Sequence, residues 1–135
     1  MNIVRNILAV ILGFIIGGLV NMATIAAGHA IMPPPAGFDQ TSMEGVASTI
    51  HLLGPVDYIV PYLAHALGPL VGVLCAMFIA ASSRKMIAII LGALFLAGGI
   101  AANIMIPAPM WYRIVDVVFA YVPMAFLGWK LSGKD

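Results

Sequence analysis

The stretch Ile7–Met32, ILAVILGFIIGGLVNMATIAAGHAIM, decides the fold. Only Asn21, Thr24 and His29 interrupt its apolar run. A hydrocarbon core of ~30 Å needs about 20 such residues as a helix. At ~1.5 Å per residue this run reaches about 39 Å, so it must tilt or project beyond the lipid. A signal-peptide core spans only about 7–15 residues, so the run is expected to remain as a first membrane span. Three further runs repeat the pattern: Tyr58–Ala81 with His65, Met86–Ile106 with Asn103, and Trp111–Leu131 with Arg113, Asp116 and Lys130. The expectation is an all-α integral membrane four-helix bundle forming one transmembrane domain over residues 1–135, with spans near 6–32, 58–81, 86–106 and 111–131.

Composition agrees. The chain of 135 residues is 63% hydrophobic and 8% charged, where a soluble domain is roughly 45–50% apolar and about 25% charged. So short a soluble chain could not bury that apolar surface, which excludes a soluble enzyme and a disordered tail. Six Lys and Arg against five Asp and Glu leave no basic stripe for phosphates, so no nucleic-acid partner is expected. Cys75 is the one cysteine, which removes intrachain disulfide, dithiol and Cys-x-x-Cys zinc chemistry.

Basic residues set the expected orientation. Arg5, Arg84, Lys85, Lys130 and Lys134 fall at one end of the bundle and Arg113 at the other. Both termini and the turn before Lys85 are thus expected to be cytoplasmic, in a bacterial-type inner (plasma) membrane. The Pro33–Asp57 loop and the Pro107–Met110 turn would face outward. Within that loop, Thr41-x-x-Glu44 has the spacing of a capping box. Met43, Val46, Ala47, Ile50 and Leu53 follow at helical spacing, with Glu44, Ser48 and His51 opposite. This predicts a short amphipathic helix over residues 42–53 on the outer surface.

Helices in lipid associate through small residues and interhelical hydrogen bonds. Gly13, Gly17, Asn21, Thr24 and Gly28 form one stripe on the first span; Pro61, His65, Gly68, Gly72 and Ala76 form one on the second. Ala88, Gly92, Gly99 and Asn103 do so on the third, and Arg113, Asp116, Ala120 and Pro123 on the fourth. Each intramembrane polar residue lies on or beside its small-residue face. Polar groups in hydrocarbon cost several kcal/mol unless satisfied, so Asn21, His65, Asn103 and Asp116 are expected to converge in the outer half, with His29 shallower.

Those residues, with Arg113, are the candidate ligand- or ion-binding set; Glu44 and His51 are candidates on the outer helix. An intramembrane carboxylate is a functional residue by default. The structural alternatives for Asp116 are a salt bridge to Arg113 three residues before it, or one to His65. A metal site would need three or four of His29, His51, His65, Glu44 and Asp116 together, and no His-x-x-x-His spacing supports it. No metal and no cofactor is expected.

Pro61-Tyr-Leu-Ala-His65-Ala-Leu-Gly68, Pro107-Ala-Pro-Met-Trp111 and Ala120-Tyr-Val-Pro-Met124, with the Pro33–Pro35 loop, resemble a family of small uncharacterised bacterial four-span membrane proteins. The resemblance covers most of the chain and implies a fold and a membrane location, not an activity. The leading expectation is a non-enzymatic binding or accessory membrane protein, self-associated or docked in a larger membrane complex. A small proton- or cation-coupled transporter or channel using Asp116 and His65 is the alternative, and a metal-binding membrane protein a further one. An enzyme ranks last, because no nucleophile–base constellation appears by spacing.

Overall fold

A computed structural model describes all residues, 1–135. The chain is all-helical, and four of its helices are long and apolar enough to cross a membrane. We label them α1 (Asn2–Ile31), α3 (Ile59–Ile79), α4 (Arg84–Met105) and α5 (Met110–Leu131); the short outer helix α2 (Met43–Thr49) lies between the first two. It is a multi-pass membrane protein by this measure, a four-helix bundle with one small helix outside the spans.

The bundle forms a ring in the order α1, α3, α5, α4, with α3 also touching α4 across it. Burial identifies the centre: 44% of the apolar window leading into α3 is buried, against 17% for α1. Backbone contact makes the tightest seam. A Cβ at Gly72 would lie 2.5 Å from the carbonyl oxygen of Gly13, and one at Gly17 would lie 2.8 Å from that of Gly68. The glycines of α1 and α3 thus let the two backbones touch, the close approach expected of small residues in lipid. Gly128 of α5 meets the Leu70 carbonyl in the same way, at 2.5 Å. These small-residue faces are therefore consumed inside one chain.

The α1–α4 side of the ring is the most loosely packed. Cβ atoms at Gly18 and Gly98 would meet nothing within 4 Å.

Side chains close the end that carries both termini. Arg5 donates to the Ile79 carbonyl (2.9 and 3.2 Å) and Arg84 to those of Met77 and Ala80 (3.1 and 2.9 Å). These bonds satisfy carbonyls that the end of α3 leaves unpaired. Asn6 Oδ1 accepts from the Ala81 and Ser82 N–H groups (3.0 and 3.2 Å), fastening α1 to the α3–α4 turn.

Three details depart from the sequence reading. First, α2 is capped by Ser42, which accepts from the Gly45 N–H at 2.9 Å; Thr41 does not cap it. The Thr41 hydroxyl and N–H instead donate to Asp39 Oδ1 (2.6 and 2.9 Å). Those two bonds, the hydroxyl's first, hold the exposed Asp39 carboxyl below its ordinary value of 3.8. Gly45 is needed beneath it, because a Cβ there would lie 2.3 Å from Asp39 Oδ2. Second, α2 tightens at Ile50–Leu52 into a 3₁₀ turn, and a second 3₁₀ turn, Pro55–Tyr58, leads into α3. Third, α5 is not a regular α-helix. Asp116–Ala120 is a π turn just before Pro123, which lacks the N–H that would bond the Phe119 carbonyl. The extra residue rotates the lower half of the helix: Ala125 and Gly128 face inward and Pro123 is exposed, contrary to the stripe expected.

Candidate functional site

The polar residues of three spans meet on one carboxylate. Asp116 is only 1% exposed and accepts from three neighbours. His65 Nδ1 of α3 lies 2.7 Å from Oδ1; Asn103 Nδ2 of α4 and Tyr121 Oη of α5 lie 3.2 and 3.0 Å from Oδ2. A buried carboxylate costs heavily unless its oxygens are paired, and here both are. Asn103 also donates to the Gly99 carbonyl, 3.0 Å away, which fixes the orientation of its amide.

Tyr121 was not foreseen, and the π turn explains why. In a regular α-helix, residues five apart point about 140° away from each other. A π turn, with its i→i+5 bonding, brings them onto the same face, so Tyr121 reaches back to Asp116 within its own helix. Gly99 makes room for it: a Cβ there would lie 2.2 Å from the Tyr121 ring. The ring also stacks on His65, with centroids 5.8 Å apart. The one available signal was Pro123, which marks a disturbed helix but not its direction.

Arg113 does not pair with Asp116. Its guanidinium donates to the main-chain carbonyl of Asn103, capping the last turn of α4. The reach of a long cationic side chain from the start of α5 to the end of α4 favours this neighbour over the buried carboxylate.

The cluster forms one wall of a cavity of about 480 Å³ between the helices, a size typical of small-molecule pockets. Its floor is Phe14 and Phe95, whose rings lie 5.2 Å apart. Its ceiling is the apolar face of α2 and the 3₁₀ turn after it: Met43, Val46, Ile50 and Leu53. Ile50 packs on Tyr58, Ala108 and Tyr112, which holds that segment onto the bundle. The loop that leads into α2 has a second tie, because His29 Nδ1 lies 2.7 Å from Gln40 Oε1.

Several polar atoms in the lining have no protein partner. With His65 Nδ1 committed to Asp116, its Nε2 stays free; the ring lines the cavity and the side chain is 25% exposed. Asn21 Oδ1 is buried and unpaired on the facing wall, where the Asn21 Cβ approaches Gly68. The hydroxyls of Tyr58 and Tyr112 are likewise buried without partners near the ceiling. Buried polar atoms of this kind call for an explanation, a ligand or water among them.

Among the expected residues, His65, Asp116 and Asn103 thus form one bonded cluster, and Asn21 and His29 line the same cavity without joining it. Arg113 acts on α4. Glu44 of α2 and His51 of the 3₁₀ turn after it are exposed, and His51 borders a separate shallow pocket beside Pro107 and Pro109. No three His, Cys, Asp or Glu side chains lie together as metal ligands would. No protein family, curated protein or solved structure matches the chain.

Proposed function

We propose that the protein is a small-molecule-binding membrane protein whose ligand lies in the interhelical cavity with its polar end on His65. The observation that carries this reading is the free Nε2 of an imidazole whose other nitrogen is anchored on a buried carboxylate. Such an anchor fixes the ring's orientation and tautomer, so that the second nitrogen is presented as a single oriented contact. The apolar remainder of the lining suits the body of a ligand, and a few convergent polar atoms would orient it.

The positively charged end, with Arg5, Arg84, Lys85, Lys130 and Lys134, is read as cytoplasmic in a plasma membrane. That places the cavity in the outer half. Association with a second copy or a larger membrane complex remains part of the proposal, through the apolar outer faces rather than the glycine seams. Proton- or cation-coupled transport is the second reading and rests on the same His65–Asp116 pair. A buried cluster drawn from all four spans, with Ala9, Val73, Met77, Leu91 and Ala125, packs against Phe95 of the floor, which favours an occluded pocket over a pore.

The test is mass spectrometry of compounds extracted from purified protein. A low-mass compound should accompany the wild type at close to one per chain. It should be lost from His65→Ala and from Ala102→Trp, which fills the cavity. The same compounds at the same ratio in all three proteins would contradict the proposal.

A further inference from the structure

The cavity is covered at its two ends and open on one side. Phe14 and Phe95 close it toward the termini, and the α2 segment with the His29–Gln40 tie covers it outward. Between α1 and α4, however, Gly18 and Gly98 both line the cavity, and a Cβ on either would meet open space. Their neighbours behave oppositely. A Cβ at Gly17 would lie 2.3 Å from the Phe95 ring, and one at Gly99 2.2 Å from Tyr121. The missing side chains at Gly18 and Gly98 therefore do not serve helix packing. They leave a slot at membrane depth in the loosest side of the ring.

We infer that the ligand is a lipid-soluble molecule bearing a hydroxyl, admitted sideways from the bilayer through the slot between Gly18 and Gly98. This rests on the pocket reading above and adds the ligand's class and route. Solubility in lipid follows from the route, because the slot faces acyl chains. The hydroxyl follows from the two polar atoms that await it. His65 Nε2 accepts when the ring is neutral and donates when it is charged, whereas Asn21 Oδ1 only accepts. A hydroxyl both donates and accepts, so one such group complements the imidazole in either state. With the ring charged, the hydroxyl accepts from Nε2–H and its own proton goes to Asn21 Oδ1; with the ring neutral, that one proton goes to Nε2. An ether or an ester oxygen can only accept, so it leaves Asn21 Oδ1 unpaired in either state and Nε2 unpaired when the ring is neutral, a loss that discriminates strongly in a dry site.

The probe is 4-decylphenol, with its methyl ether as the matched compound without a donor. Protein carrying ¹⁵N-labelled histidine is placed in phosphatidylcholine nanodiscs, and the His65 ring signals, identified by their absence in His65→Ala, are followed as probe is added. The phenol should shift Nε2 saturably, and the ether should require at least tenfold more. Gly98→Phe, which plugs the slot, should weaken or slow the phenol's effect at least tenfold while leaving the probe-free Nδ1 signal unchanged. Should that variant not fold, Gly18→Phe plugs the same slot from the α1 side. Equal response to phenol and ether overturns the hydroxyl assignment, and a plugged variant that behaves as the wild type overturns the side route. No shift with either probe overturns this inference alone, because the pocket reading is judged by whether a compound co-purifies.

Discussion

The two long hairpins, α1 with α3 and α4 with α5, solve helix association in lipid in opposite ways. In the first, Gly13, Gly17, Gly68 and Gly72 bring backbone against backbone. In the second, the Tyr121 ring and the Asp116 carboxylate stand between the helices, and a π turn aims them. The glycine seam uses shape, with side-chain hydrogen bonds only at the end that carries the termini. The second spends its contacts on hydrogen bonds and leaves space beside them. Van der Waals fit and interhelical polar contacts are the two means available without a hydrophobic drive between helices. The molecule assigns the first to holding the bundle and the second to building a pocket wall.

Disrupting the glycine seam should have the largest effect. Gly72→Leu would drive a side chain into the Gly13 carbonyl, where even a Cβ has only 2.5 Å. Overpacking a side chain against other side chains costs about 1–3 kcal/mol; backbone contact offers no such relief, so the loss should be larger. Detergent-induced unfolding followed by circular dichroism should show little or no folded protein. Wild-type stability in Gly72→Leu would mean that the two backbones do not touch.

Disturbing the polar wall should cost less. Asp116→Ala removes the acceptor of three donors and should destabilise by about 3 kcal/mol, as losing one partner of a buried pair does. Tyr121→Phe removes one hydrogen bond made within α5, worth about 1 kcal/mol. A double-mutant cycle between the two should give a coupling of about 1 kcal/mol. Zero coupling would show that α5 continues as a regular α-helix and that Tyr121 points elsewhere.

The smallest effect lies outside both hairpins. Asp39 has a carboxyl held below its ordinary value by Thr41. A depressed folded-state value stabilises the loop above the unfolded value of about 4 and gives that up as pH falls through the folded one. The protection of amides over Met43–Thr49, measured against their intrinsic exchange, should therefore fall below pH of about 4, with that of α3 and its glycine partners unaffected. Protection in α2 that ignores acid, or an equal fall in α3, would break the distinction between roof and frame.

Legibility followed the same divide. The spans, their glycine faces and the amphipathic outer helix are periodic, and a period is what a sequence displays. His65, Asn103 and Asp116 could be placed together because each shares a face with small residues. Tyr121 could not, because one added residue in a helical turn moves every later side chain to another face. Pro123 hints at that shift without giving its direction. Spacing left Arg113 and His65 as alternative partners for the carboxylate, because a flexible guanidinium is captured by whichever carbonyls the fold brings near. Ser42 rather than Thr41 caps α2 because Asp39 claims the threonine, a competition between three polar neighbours that spacing does not rank. Gly18 and Gly98 look like their neighbours Gly17 and Gly99 in the chain. Only the packing shows that one of each pair admits a partner and the other faces an opening.

In the proposed pocket an oriented His65 presents its free nitrogen to a space open toward lipid. Crystals grown from a lipidic mesophase test it most directly. His65 Nδ1 should lie on Asp116, with elongated density running from Nε2 outward between Gly18 and Gly98. An imidazole turned away from the carboxylate, or helices α1 and α4 closed over an empty seam, would contradict it.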